Sequence, residues 1–506
     1  MRYTQEIAEQ VETLLNIGIA LSAEKDHNRL LEMIVTEARR ITNADAGTLY
    51  LCEKNKLTFR IMQNETMNTF KGGHGEIIDI PPVPIRKENV SGYTALTRQN
   101  VNIPDVYQTE AFDFSGPRKF DETTGYKTLS MLVVPLQNHE NRVIGVLQLI
   151  NARDIKGNPI PFAQYFEKVI TSLASQAAIA LCNMQLIEDI EQLFNSFVEV
   201  MATAIDSRTP YNAHHTRRVA LLAGELAQVI DESSDARWKD TFFDQNRKQQ
   251  LVVAGWMHDI GKISTPLAVM NKATRIESQL ELIMQRFDYI ASYLESQYLT
   301  KQITFIQNGA ADELALLEKE YNEQMDFLEN SRALIIRVDN PSTFVDKELL
   351  AEIQNIASQT YEDRKGIANN WLTPDELTAL SVTKGTLTEE ERKIMENHVI
   401  VTQLLLDKIP FTEKLKNVPL FASIHHEHLN GNGYPLGLTA EDIPLEGRIL
   451  ALVDVFDALT AEDRPYKKAM PLEQALKILG FMVKDGELDP DLVKLFIAEK
   501  VWERID

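Results

Sequence analysis

At 506 residues the chain is about three times the length of a usual domain, so two or three domains are expected. Apolar residues make up 44% and charged residues 25%, which excludes a disordered or fibrous chain, and 74 Asp and Glu against 52 Lys and Arg leave a formal charge of −22. Such an acidic chain is unsuited to gripping a nucleic-acid polymer or an anionic membrane through bulk electrostatics, although a local cationic site could hold a small phosphorylated ligand. Its two cysteines, Cys52 and Cys182, cannot build a disulfide framework. With no signal-peptide pattern and no apolar run of bilayer-crossing length evident, a cytoplasmic protein without a membrane partner is expected.

Residues 1–160 read as α/β (α+β). Residues 26–43 put Leu30, Leu31, Ile34, Val35, Ala38 and Ile41 on one helical face. GTLYLCEKNKLTFRIM reads as a hairpin turning at Glu53–Lys56, and SMLVVPLQNHENRVIGVLQLINA as a second turning at Asn138–Asn141. An antiparallel sheet flanked by helices is the expected fold. From Phe162 a helical stripe follows: Phe166, Ile170, Leu173, Ala177, Ala180, Met184, Ile187, Ile190, Phe194, Phe197, Met201 and Ala204, with no Pro or Gly before Thr209. It predicts a coiled-coil-like connecting helix over 161–205. Residues 206–506 read as all-α. Within them, 275–385 lacks histidine and reads as an inserted, mostly helical subdomain, a solvated helical hairpin by the simplest reading and a regulatory or partner-binding element by the other.

The histidines carry the chemical signal, since seven of the ten lie beyond residue 213. In GWMHDIGKIS, His258 and Asp259 are neighbours; an imidazole serves one metal, whereas a carboxylate can bridge two. Gly261 permits a tight helix end, and Lys262 can reach an anion held by the metals. In IHHEHLNGNGYPLGL, paired His425 and His426 precede a loop with three glycines, where a ligand can approach. His215 opens an apolar-faced helix and His398 closes an amphipathic stretch. Asp454 sits between Val453 and Val455, and a carboxylate in so apolar a run is costly unless paired or metal-bound. Five imidazoles (His215, His258, His398, His425, His426) and two carboxylates (Asp259, Asp454) exceed what one tetrahedral zinc uses, and no cysteine accompanies them. Such a nitrogen and oxygen set suits two octahedral first-row ions that clamp a phosphate ester for hydrolysis.

His258-Asp259-x-Gly261-Lys262, followed by His425-His426-Glu427 and Gly433-Tyr434-Pro435, resembles the HD-GYP family of HD-superfamily cyclic dinucleotide phosphodiesterases. The resemblance runs over about 196–274 and 386–480 and includes RTPYNAHHTRRV, TLTEEERKIMENH and DVFDALTAEDRPYKKAMPL. It implies hydrolysis of cyclic di-GMP to pGpG or GMP by divalent non-haem iron or manganese ions. By position, one ion takes His215, His258, Asp259 and Asp454, and the other takes Asp259, His398, His425 and His426. Asp259 and Lys262 become catalytic, with Lys262 on the scissile phosphate. Tyr434, Arg464 and Lys467 join Lys262 in binding substrate. Departures are Tyr211, where three-metal members carry Glu, which favours two ions; Asn430 at a usual Asp position; and His214 for a usual Gly, leaving a doublet from which His215 is chosen by its spacing to Arg218 and Val219. Cyclic GMP-AMP hydrolysis and a catalytically weak nucleotide-binding module are the alternatives.

The first 160 residues resemble a GAF sensor domain, carried by ADAGTLYLCEKNKLTFRIM and SMLVVPLQNHENRVIGVLQLIN. The resemblance implies small-molecule sensing by an unidentified ligand and a parallel homodimer through the GAF domain and the connecting helix. No bilin-attachment motif surrounds Cys52, which is expected to be a core residue.

Overall fold

The computed structural model describes residues 2–208, 214–461 and 470–505, and the chain divides into two compact units, Met1–Phe194 and Asn195–Asp506. The first unit opens with α1 (Arg2–Ala23) and α2 (His27–Thr42). Asp26 caps α2 by accepting from the Arg29 amide at 2.7 Å, and Leu30, Leu31, Ile34, Val35 and Ala38 are buried as their spacing predicts. The strands are β1 (Ala44–Glu53), β2 (Lys56–Asn64), β3 (Thr69–Gly72), β4 (Val83–Pro84), β5 (Val101–Ile103), β6 (Met131–Gln137), β7 (Val143–Arg153) and β8 (Pro159–Ile160). They form one antiparallel sheet in the order β3-β2-β1-β7-β6-β5, with β4 on β2 and β8 on β7. Both expected hairpins form. Lys54 and Asn55 take φ 43° and 63°, the left-handed pair that a two-residue hairpin turn requires. The middle of the unit holds α3 (Val90–Thr97) and α4 (Ser115–Thr124).

Period-two alternation gives the sheet two apolar faces. Leu132, Val134, Leu136, Leu147 and Leu149 pack with α2 on one side, while Met131, Val133 and Val146 face Val90, Ile103 and Phe114 on the other. Cys52 lies half-buried against this second cluster.

The expected continuous helix is α5 (Gln164–Asp206), 43 residues long. Its stripe, however, does not serve one partner throughout. Ile170, Leu173, Ala174, Ala177, Ala178 and Leu181 are core residues of the sheet layer, so the first unit extends well past residue 160. Ile187, Ile190 and Phe197 are 57%, 64% and 55% exposed. Spacing of three and four fits a sheet surface as well as a partner helix, which is why the two uses read alike in sequence. One window of α5 also has the length and mean hydropathy, 1.3, of a bilayer-crossing segment, contrary to the expectation of none; 39% of it is buried within the protein.

The second unit continues with α6 (His215–Glu232), α7 (Gln245–Met257), a 3₁₀ turn (Ile260–Ser264) and α8 (Leu267–Met270). Then come α9 (Leu280–Gln307), α10 (Ala311–Asp339), α11 (Lys347–Ser358), the hairpin β9 (Thr360–Glu362) and β10 (Ala368–Asn370), and α12 (Pro374–Leu380). These are the predicted insertion. It has its own core, including Ile283, Phe287, Leu328, Ile335, Ile353 and Trp371, so it is a packed subdomain rather than a solvated hairpin. The remaining helices are α13 (Glu389–Leu406), α14 (Val418–Ser423), α15 (Leu445–Thr460), α16 (Leu472–Lys484) and α17 (Pro490–Ala498). Helices α6, α7, α13, α14 and α15 pack into the bundle that carries the histidines.

Because Leu173 is fully buried between α5 and the sheet, Leu173→Ala is expected to destabilise the chain by about 2–5 kcal/mol in denaturant unfolding.

Candidate metal centre

Local backbone geometry explains how neighbouring residues come to share one centre. His214 is exposed with φ 72°, and this left-handed step turns the next residue, His215, inward as the first residue of α6. His258 ends α7, and Asp259, at φ −102° and ψ 7°, breaks the helix into the 3₁₀ turn, so the two side chains converge instead of splaying by a helical step. Gly261 works differently from the expected helix end. A Cβ there would stand 1.9 Å from the His398 carbonyl oxygen, so glycine lets the turn press against α13. Thr402 of α13 locks that contact: its hydroxyl accepts from the Gly261 amide and donates to the His258 carbonyl, each at 3.0 Å.

The seven predicted side chains converge in two groups joined by Asp259. On one side, Asp259 Oδ2 lies 3.6 Å from His215 Nε2 and 3.3 Å from His258 Nε2, and Asp454 Oδ1 lies 3.2 and 3.7 Å from the same nitrogens. On the other side, Asp259 Oδ1 lies 3.3 Å from His398 Nε2 and 4.0 Å from His425 Nε2. The ligand atoms of His398, His425 and His426 all fall within 4.8 Å of one another, as do those of His215, His258 and Asp259. Donors on one octahedral ion stand about 3 Å apart when each bond is about 2.1 Å, so both groups are spaced to close on a cation.

Hydrogen bonding aims the rings. The Nδ1–H groups of His258, His398 and His425 donate to the carbonyls of Gly255, Met395 and Ala422 at 2.8, 2.6 and 2.8 Å, each three residues earlier. His215 Nδ1 donates instead to Asp457 Oδ2 at 2.6 Å, and Arg218 holds that carboxylate through Nε at 2.5 Å and Nη2 at 3.2 Å. A carboxylate or carbonyl behind an imidazole fixes its tautomer and orientation, the usual support of a metal-binding histidine. In front, His258 Nε2, His398 Nε2, His425 Nε2 and Asp259 Oδ1 are buried without a hydrogen-bond partner. Buried polar atoms without partners are costly, and two divalent cations, one beside His258 and one beside His398, His425 and Asp259 Oδ1, would satisfy all four. The residues therefore fit two such ions.

The two halves differ electrostatically. Burial alone would raise Asp259 and Asp454, but His258 and Lys262 hold the first well below the carboxylate range, and His215 and His258 do the same for the second. Burial pushes His258 down, yet Asp259 and Asp454 outweigh it and raise its pKa to about 10. Burial outweighs the pull of Asp454 and Asp259, lowering His425 and bringing His426 to about 3. The carboxylates of the first half thus favour protonated imidazoles at His215 and His258, whereas burial favours the neutral form of His425 and His426.

Lys262 Nζ lies 2.5 Å from Asp259 Oδ2, and this carboxylate outweighs burial to raise the lysine pKa. Tyr434 stacks on His426 with ring centroids 4.8 Å apart. Its loop is pinned by buried Glu427, whose oxygens accept from the Leu436 and Leu438 amides at 2.7 and 2.8 Å. A Cβ on Gly433 would stand 2.3 Å from the His428 nitrogen, so the loop folds back on itself only with glycine. Asn430 points away from the centre: its Nδ2 donates to the Asp485 carbonyl at 2.9 Å, a bond an aspartate could not make. Arg464, Lys467 and Tyr211 lie outside the described residues.

Sequence reading assigned no role to Asp457, Thr402 or Asp206. Asp206 accepts from the Thr216 hydroxyl at 2.6 Å and from its amide at 3.3 Å, beside His215. Asp457 was legible in principle, being a second carboxylate three residues along the same apolar helix as Asp454. Asp457→Asn is expected to weaken divalent-metal binding about 10–100-fold in a metal titration while the fold is retained; unchanged affinity would separate Asp457 from the centre.

Residues 26–181 match the GAF domain family, and residues 212–326 and 370–492 match HD domain families. A 3'3'-cGAMP-specific phosphodiesterase 3 of Vibrio cholerae is 43% identical over 19% of this chain and 20% of its own length. A probable cyclic di-GMP phosphodiesterase of the same organism is 40% identical over 23% and 27%, and a cyclic di-GMP phosphodiesterase of Thermotoga maritima is 36% identical over 22% and 30%. The chain thus spans between a fifth and a third of the length of these relatives. It joins a GAF domain to an HD domain, whose family binds divalent metal and whose residues here converge on the histidine–aspartate centre.

Proposed function

We propose that the chain is a metal-dependent phosphodiesterase that hydrolyses cyclic di-GMP to pGpG or GMP. The observation that carries this reading is the Asp259 carboxylate, with one oxygen facing His215 and His258 and the other facing His398 and His425. His215, His258, Asp259 and Asp454 would hold one ion, and Asp259, His398, His425 and His426 the second. The nitrogen-rich, cysteine-free ligand set favours iron or manganese. When bound, such ions polarise a phosphoryl oxygen and make water a better nucleophile at neutral pH.

The chain's own groups do the rest. Lys262, kept as an ammonium by Asp259, is placed to donate to a phosphate oxygen and to the departing ribose oxygen as charge develops there. Tyr434, on its pinned loop, offers an aromatic surface beside His426 for a base. Arg464 and Lys467 are proposed to contact the dinucleotide's phosphates. The GAF domain is proposed to regulate the hydrolase within a parallel dimer. Exposed Leu186, Ile190, Leu193, Phe197 and Val200 of α5 recur at alternating steps of four and three, the spacing of a two-helix seam.

The relative named as cGAMP-specific supports a second reading, hydrolysis of cyclic GMP-AMP by the same centre. Steady-state turnover of both dinucleotides with manganese or ferrous iron decides between them, with faster cleavage of cyclic di-GMP expected. Asp259→Ala is expected to lose both metals and all turnover with the fold intact. Lys262→Ala is expected to keep its metals and slow hydrolysis about 10²-fold. Cleavage of neither dinucleotide by the metal-loaded chain would overturn the proposal.

A further inference from the structure

The 3₁₀ turn that carries Lys262 has two supports within the second unit. One is α13, through Thr402 and the close approach at Gly261. The other is Arg208, two residues past the end of α5, whose half-buried guanidinium donates through Nη1 to the Lys262 carbonyl at 2.5 Å and through Nη2 to the Thr265 carbonyl at 3.3 Å. The Thr265 amide already returns to the Lys262 carbonyl at 3.1 Å, so Arg208 grips both ends of one closed turn. A planar fork can hold two carbonyls at once, which a lysine ammonium on a flexible stem does less well. Two residues earlier, Asp206 holds Thr216 beside His215, so this one short stretch registers two of the segments that build the centre.

We infer that Arg208 is a positioning residue for the reaction, fixing the backbone of Lys262 so that its ammonium stands at the Asp259 carboxylate. The inference rests on the proposed role of Lys262. It extends that role to a residue whose hydrogen bonds, among the described residues, go to the main-chain carbonyls of Lys262 and Thr265. Displacing a positioned group by about 1 Å can cost on the order of 10²-fold in rate. If Lys262 meets charge that develops in the transition state, the loss falls on kcat rather than KM.

The test compares full-length wild type, Arg208→Ala, Arg208→Lys and, as a control at the same helix end, Ser207→Ala. With metal loaded, Arg208→Ala is expected to keep its ion content and a KM within about twofold while kcat falls roughly 10- to 100-fold. Added guanidinium should restore part of that loss, Arg208→Lys should lose less, and Ser207→Ala should match wild type. Hydrogen exchange on the metal-free chain supplies a readout independent of hydrolysis: in Arg208→Ala, amides of 260–265 should exchange faster while those of 398–406 do not change. Wild-type kcat in Arg208→Ala, unchanged exchange at 260–265, or a loss of metal in both Arg208 variants would overturn the inference. If Arg208→Ala fails to fold, the kcat and exchange of Arg208→Lys decide. Should wild type cleave no cyclic dinucleotide, the functional reading fails separately, and the exchange data still judge the clamp.

Discussion

The structure of the second unit turns on one buried carboxylate shared between two clusters of imidazoles. Asp259 is 3% exposed, and its two oxygens face different nitrogens, Oδ2 those of His215 and His258 and Oδ1 those of His398 and His425. Gathering so many polar groups away from water is unfavourable unless cations join them. That requirement explains why five separate chain segments, three of them helix ends, are brought to the same place. It also explains the two kinds of neighbourhood. The carboxylate-rich side carries protons that a cation can replace, and the imidazole-rich side already offers free lone pairs.

The same local device recurs around the centre. Three histidines use the carbonyl three residues back to orient Nδ1: His258 and His425 just past helix ends, where the last carbonyls are free, and His398 within α13. His215 is the first residue of a helix, and its Nδ1 is held instead by Asp457 with Arg218. The ligands are therefore held by backbone and by salt-bridged side chains rather than by apolar packing alone. The Gly-Tyr-Pro loop follows the same rule, since Glu427 and Asn430 tie it down through main-chain amides and carbonyls.

What could be read from sequence was what broke a pattern. Asp454 among valines, the His425-His426 doublet and His258-Asp259 stand out because apolar packing has no use for them. The hairpins were legible because Lys54–Asn55 and Asn138–Asn141 interrupt alternating apolar runs. Other features depend on distant segments meeting. Thr402 looks like any helix residue, and Gly261 like a helix end, until α13 and the 3₁₀ turn are seen in contact. The stripe of α5 announced a helix but not which half the sheet would cover. The insertion was recognised as helical, while its separate core around Phe287 and Trp371 and its small hairpin emerge only from tertiary packing.

Anomalous diffraction from crystals grown with manganese measures the central claim most directly. Two peaks about 3.5–4 Å apart are expected, one beside His215, His258 and Asp454 and the other beside His398, His425 and His426, with the Asp259 carboxylate between them. A single peak, or two peaks with Asp259 bound to only one of them, would contradict that claim.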